Sequence, residues 1–191
     1  PDCPMYEEVN IFRVLRCPGL VVQNLVMDGK GRGEIRGHTI YSGLYIIGDY
    51  REGERPTTKG LTVRGCTFRG FQGRGIAFYA TDDALIEGNA FYAIRAQAIE
   101  IDHFSSGLIR ENFVVGAEVG VMVNDAFESV VEGNVLRDCE DGVMIMRVLP
   151  GDWVNTGNTV RDNVIGPGCH RGVRFFDKLG GEGIRGNLVQ R

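Results

Sequence analysis

No stretch of this chain approaches the roughly eighteen consecutive apolar residues that mark a membrane-crossing helix. Basic residues are too few and too scattered for a nucleic-acid stripe: 21 Lys and Arg are spread among 25 Asp and Glu, for a net charge of −4. The opening PDCPMYEEVN has neither a charged n-region nor an apolar h-region, so it is not an uncut secretory signal, and an already removed leader stays open. Five cysteines (Cys3, Cys17, Cys66, Cys139, Cys169) include no CxxC and no metal-ligand spacing. An odd count excludes a fully paired set, and the plain reading is small residues used for packing. There is a single tryptophan, Trp153, and no segment carries the 3.6-residue apolar period of a helix.

What is present is a repeat. With 43% hydrophobic residues, 191 residues suffice for one core, read here as a lead-in over 1–8 and one domain over 9–191. In register the chain reads VRGCTF at 63, IEGNAF at 86, IRENFV at 109, VEGNVL at 131, VRDNVI at 160 and IRGNLV at 184. Cys66, Asn89, Asn112, Asn134, Asn163 and Asn187 mark the corner, separated by 23, 23, 22, 29 and 24 residues. A second element follows each of the first five corners: GIAF at 75, AIEI at 98, GVMV at 120, GVMI at 142 and GVRF at 172. The 28 glycines, without a collagen period, supply recurrent turns. A period near 23 built of short β-branched strands predicts an all-β solenoid, a right-handed single-stranded parallel β-helix of about seven coils.

The upstream segment IFRVLRCPGLVVQNLVMDGKG fits an earlier coil, with Phe12, Val14, Val22 and Met27 inward and Asp28-Gly29 at its turn. SGLYII at 42 is its matching strand, displaced by an insertion over 30–41. The five asparagines are expected to stack at one corner, where coils sit roughly 4.8 Å apart and amides satisfy buried turn groups. Two further insertions, 48–58 and 148–156, follow the same strand of their coils and should rim one face. The second carries Trp153 beside Asp152, either a sugar-stacking platform or a cover for the core edge.

Alternation on the strand holding IEIDHF (99–104) puts Ile99 and Ile101 inward and Glu100 and Asp102 outward. The outward columns become Tyr45, Ala77, Glu100, Met122, Met144, Arg174, and Ile47, Tyr79, Asp102, Asn124, Met146, Phe176. Beyond them lie Gly48, Ala80, His103, Asp125, Arg147 and Asp177; before them lie Arg74, Gln97, Asp141 and Arg171. The middle coils thus gather Tyr79, Glu100, Asp102, His103, Asn124, Asp125 and Arg147, polar either as the wet side of a sheet or as a site. Met122, Met144, Met146 and Phe176 form an apolar stripe that calls for a covering loop, an oligomer contact or a capping domain.

The repeat resembles that of the parallel β-helix superfamily of pectate lyases, polygalacturonases, alginate epimerases and phage tail-spikes, over about residues 9–191. IDHFSSGLI is also similar to the alginate C5-epimerase segment in which Asp-Pro-His ends a strand, although the Pro is absent here. That resemblance implies a secreted, periplasmic or surface protein, an acidic uronate-containing polysaccharide as partner, and Asp102 and His103 as catalytic Asp and His.

Three functions stay open. Lyase or epimerase chemistry needs a carboxylate neutraliser (Arg147 or Arg74), a base (His103 oriented by Asp102) and an acid (Tyr79), with Glu100 nearby. Trp153, Asn124, Asp125, Arg74 and Arg174 are then substrate-contact candidates. Inverting hydrolysis would use Glu100 and Asp102, whose Cα atoms on one strand face lie roughly 6.6 to 6.8 Å apart, near the inverting window of about 6.5 to 9.5 Å. A non-catalytic spike, adhesin or sugar-binding module is the third. No cofactor is expected, although Glu100, Asp102, Asn124 and Asp125 offer hard oxygens to Ca²⁺. Because PDCPMYEE is short and the final repeat breaks off after Asn187, the solenoid is expected to belong to a longer protein or an assembly.

Overall fold

A computed structural model describes residues 9–30, 34–35, 38–49, 56–150, 155–181 and 183–190. All regular structure among them is β-strand, and nearly all pairing is parallel between successive turns of the chain. Each coil has three faces. The first consists of Val21–Gln23, Thr62–Arg64, Ala84–Glu87, Gly107–Arg110, Val130–Glu132, Thr159–Arg161 and Leu188–Gln190, one strand for each of seven coils. The second holds Val26–Asp28, Thr67–Arg69, the stretches 90–92, 113–115 and 135–137, and Val164–Ile165. The third holds Val9–Leu15, His38–Ile47, Ile76–Tyr79, the later parts of Ala90–Asp102, Phe113–Asn124 and Val135–Arg147, and then Arg171–Asp177. The three long strands turn the corner from second face to third without a break, with a register irregularity between Ile94 and Gln97.

The parallel β-helix expected from the repeat is therefore what forms, and both outward columns of the third face run as read. Glu100 pairs with Met122, Met122 with Met144 and Met144 with Arg174; Asp102 pairs with Tyr79, and Asn124 with Met146. Inward residues of all three faces meet in one core that includes Val63, Ile86, Ile109, Phe68, Phe91, Leu136, Ile76, Ile101 and Val121, all fully buried. The Gly that opens GIAF, GVMV and GVMI has a packing cause. A Cβ at Gly75 would lie 2.6 Å from the Phe91 ring, and one at Gly142 2.6 Å from Ile165. The small residue on the third face makes room for the large one on the second.

The insertion at 30–41 is only partly a loop: Glu34–Ile35 folds back antiparallel on the start of His38–Ile47. Residues 50–55 and 151–154, with the Trp153 platform expected of them, lie outside the described residues.

The asparagine ladder forms, with one correction. Asn89 N–H and Nδ2 both donate to Asn112 Oδ1 at 3.0 Å, Asn112 donates likewise to Asn134, and Asn134 to Asn163. Asn187 is not the next rung. It accepts from the N–H and Nδ2 of Asn158, whose own Oδ1 accepts the Ser129 N–H, at the corner before the first face. Both corners place a left-handed residue before the amide (Gly133 or Asp162 at one, Gly157 or Gly186 at the other), so a GN dipeptide suits either. Coil length decides between them. Asn134 to Asn163 and Asn158 to Asn187 are each 29 apart, and the expected 24 falls short by the five residues from Asn158 to Asn163 that hold the first-face strand Thr159–Arg161.

At the two ends of the stack, apolar residues of inward columns (Phe12, Phe175) and of outward ones alike lie open to water. Phe12, Leu15, Val21 and Val26 at one end and Val164, Phe175 and Leu188 at the other are exposed. A groove of about 310 Å³ lined by Phe12, Val14, Leu20, Val22 and Leu44 opens at the first.

Candidate functional site

In the middle coils the outward side of the third face is nearly closed to solvent. Glu100, Asp102, Asn124 and Tyr79 keep 2, 4, 5 and 6% of their surface. Glu100 is enclosed by the Arg74 guanidinium, with which it pairs through Oε2, and by the Tyr79 hydroxyl, which donates to the same oxygen at 3.0 Å. Arg74 in turn stands 5.5 Å over the Tyr41 ring, and Tyr45 packs on Tyr79 at 5.2 Å. Tyr41 was not anticipated. Its one sequence signal is Gly73, where a Cβ would fall 2.3 Å from the ring.

His103 lies at the rim, with about a third of its side chain exposed. It adopts a left-handed conformation (φ 49°), and so does the buried Phe104 that follows (φ 60°). The same conformation recurs one coil before at Ala80 (φ 49°) and one coil after at Asp125 (φ 45°), so it belongs to the repeated corner of the coils. Asp102 fixes the turn: its Oδ1 accepts the His103 N–H at 2.7 Å and lies 2.8 Å from His103 Nδ1. Ser105 Oγ donates to the Asp102 carbonyl at 2.5 Å. The Tyr79 and His103 rings are 5.3 Å apart, so Tyr79 touches both the buried Glu100 and the rim.

Burial pushes the Glu100 carboxyl up to about 7, against the opposing pull of Arg74. For His103 burial works to lower the imidazole, but the bond and charge of Asp102 outweigh it and the net shift is upward. Burial raises Tyr79 too, reinforced by the Glu100 charge. Glu100 is thus lifted toward neutrality, the range that acid–base work needs, and His103 on the adjoining turn is raised above its ordinary imidazole value.

The other sequence candidates are placed differently. Asp125, raised by burial, uses both oxygens to accept the Val148 and Leu149 N–H groups at 3.0 to 3.2 Å, latching the loop after Val135–Arg147. Arg147 pairs with Asp177 at 3.5 Å, two rungs from His103 and so roughly 10 Å away. Arg174 pairs with Asp141 at 3.3 Å and covers Phe176, roughly 14 Å along the column from Glu100. Asn124 stands one rung from Asp102, and its Oδ1 is buried with no hydrogen-bond partner among the described residues. The oxygens proposed for Ca²⁺ do not converge: Glu100 serves Arg74 and Asp125 serves the backbone. Among the described residues no group of three or more His, Cys, Asp or Glu is placed to hold a metal ion. The paired-carboxylate arrangement is likewise altered, since one oxygen of each is already engaged by Arg74 and Tyr79 or by His103. Met122 and Met144 pack with Val119 at 6 and 8% exposure, so the expected apolar stripe reaches the surface only at Met146 and Phe176. No helix of the described residues is long and apolar enough to cross a membrane.

A stack of parallel coils with a buried polar network on one outer face defines a β-helix protein. Residues 23–191 match the family described as the right-handed β-helix region, and the chain belongs to that family. None of the curated proteins matches it. Among solved structures the chain is similar to the Streptococcus pneumoniae surface protein and adhesin PfbA, at 12% identity and a TM-score of 0.40. The match covers 91% of this chain and 49% of that one, so this chain spans about half its length.

Proposed function

We propose that the chain is a carbohydrate-active β-helix protein that abstracts the proton α to a uronate carboxylate, the first step shared by β-elimination and C5-epimerisation. The observation that carries this reading is the His103–Asp102 pair: a rim imidazole oriented by a buried carboxylate and seated against Tyr79. Neutral His103 takes the proton, and Asp102 holds the imidazolium that results. Beneath it, Glu100 titrates near neutrality and is joined to Tyr79, so the phenol can pass a proton to the departing oxygen or to the opposite ring face. Arg74 contributes the positive charge that favours a substrate carboxylate. A secreted, periplasmic or surface location follows from such a substrate.

The test is incubation with a panel of uronans, following ultraviolet absorbance of unsaturated ends and, separately, exchange of the C5 proton with deuterated solvent. Turnover of at least one uronan, lost in His103→Ala, is expected; activity that survives His103→Ala on a confirmed substrate refutes the assignment. The burial of Tyr79, Glu100, Asp102 and Asn124 favours a second reading, a non-catalytic sugar-binding module. That reading holds if a uronan binds without either signal.

A further inference from the structure

We propose that Cys139 and Cys169 form a reversible disulfide between adjacent coils, fastening the final strand of the third face to the body of the solenoid. This assignment is independent of the function proposed above. Asp141 pairs with Arg171, and the His170 N–H donates to the Cys139 carbonyl at 3.1 Å, so Cys169 lies opposite Cys139 on neighbouring turns. The column runs Ile94, Ala117, Cys139, Cys169 along the corner between the second and third faces. Cys139 is buried in the core and Cys169 packs against it, half-buried. Their thiols point at successive carbonyls, Cys139 Sγ to Arg137 O at 3.2 Å and Cys169 Sγ to Leu136 O at 3.5 Å. Coils spaced about 4.8 Å apart fall inside the Cα window of about 4.4 to 6.8 Å that a disulfide spans. The other described cysteines are not so placed: Cys66 starts the asparagine ladder, and Cys17 is exposed near the first coil.

The oxidant is a low-molecular-weight disulfide such as glutathione disulfide. The more accessible Cys169 thiolate attacks one of its sulfurs, the glutathione S–S bond breaks, and one glutathione thiolate leaves. The Cys139 thiolate then attacks Cys169 Sγ, the mixed disulfide breaks, and the second glutathione leaves. Two protein thiols lose two protons and two electrons, and one glutathione disulfide becomes two glutathiones. Burial and the neighbouring Cys169 hold the Cys139 thiol up at about 12, so the second step is slow at neutral pH and quickens as pH rises.

The experiment uses the full chain carrying Cys3→Ser and Cys17→Ser, incubated with glutathione disulfide, acid-quenched, unfolded, alkylated and peptide-mapped. The expected result is a 139–169 cross-link that dithiothreitol reverses, absent in added Cys139→Ser or Cys169→Ser variants. Its rate should climb about tenfold per pH unit over the range in which the chain stays folded. The oxidised chain should also melt above the reduced one, because the link closes a loop of about 30 residues in the unfolded state. The proposal is overturned if both residues remain alkylatable, if Cys169 stops at a mixed disulfide with Cys139 still free, or if the cross-linked chain melts lower than the reduced chain.

Discussion

The outer sides of the first and third faces come from the same repeat and reach opposite ends of electrostatic behaviour. On the first face Arg64, Glu87, Arg110, Glu132 and Arg161 form one column, in which Glu87 pairs with Arg110 at 2.8 Å and Glu132 with Arg161 at 2.6 Å. These side chains stay partly in water, where each pair is worth little. On the third face Arg74, Tyr79, Glu100 and Asp102 form an almost dry network with His103 at its rim, and there burial raises Glu100 while Asp102 raises His103. The repeat supplies the scaffold twice; withdrawal from water turns one of the two charged surfaces into a candidate for chemistry.

The sharpest way to break that contrast is His103→Ala. Loss of a proton-transfer group should reduce turnover by roughly 10²- to 10⁴-fold on any uronan that is turned over, while thermal melting stays nearly unchanged. For the parent, kcat/KM should rise with pH through the elevated value of His103, whose neutral form is the base.

Next in size is the pH dependence of stability. Glu100 binds its proton more tightly folded (about 7) than at its ordinary 4.5, so its contribution is complete below 4.5 and is lost as pH rises through about 7. The loss is on the order of 3 kcal/mol, and His103 adds to it in the same direction over a window starting at 6.5. Chemical denaturation at about pH 5 and about pH 8 should therefore show greater stability at the lower value, and Glu100→Gln should flatten the slope. A parent that gains stability over that interval would show Glu100 to be ionised throughout.

Asn112→Leu should cost roughly 1 to 3 kcal/mol in denaturant unfolding, because it strands the Asn89 N–H and the Ile86 carbonyl away from water. The smallest effect belongs to the first face: Arg110→Ala should change stability by less than about 1 kcal/mol and vanish in high salt. A larger loss there would erase the distinction between the two faces.

Coil number, inward pairs and outward columns were legible in the sequence because the parallel register repeats the same residue types turn after turn. Asn187 was misplaced because two corners share one local requirement, a left-handed residue followed by a buried amide. Arg147 and Arg174 looked like site cations because they occupy the right columns. Their long side chains reach Asp177 and Asp141, a choice that no spacing encodes. Nor does alternation reveal that the outward positions of Glu100, Met122 and Met144 are covered; a strand specifies a side, and the surroundings decide whether that side is wet.

The asparagine ladder has a direction. Each side-chain NH₂ donates toward the next coil and each side-chain carbonyl receives from the previous one, from Asn89 through Asn112 and Asn134 to Asn163. Aligned amide dipoles polarise one another, so the row behaves as a one-way wire along the solenoid axis. At Cys66 the wire has an abrupt beginning: its backbone N–H feeds Asn89, but its side chain has no carbonyl to receive from a coil before it. Two rungs exchanged for leucine together should therefore cost more than the two exchanged singly, and coils grafted beyond Asn163 should couple to the ladder more strongly than coils grafted ahead of Cys66.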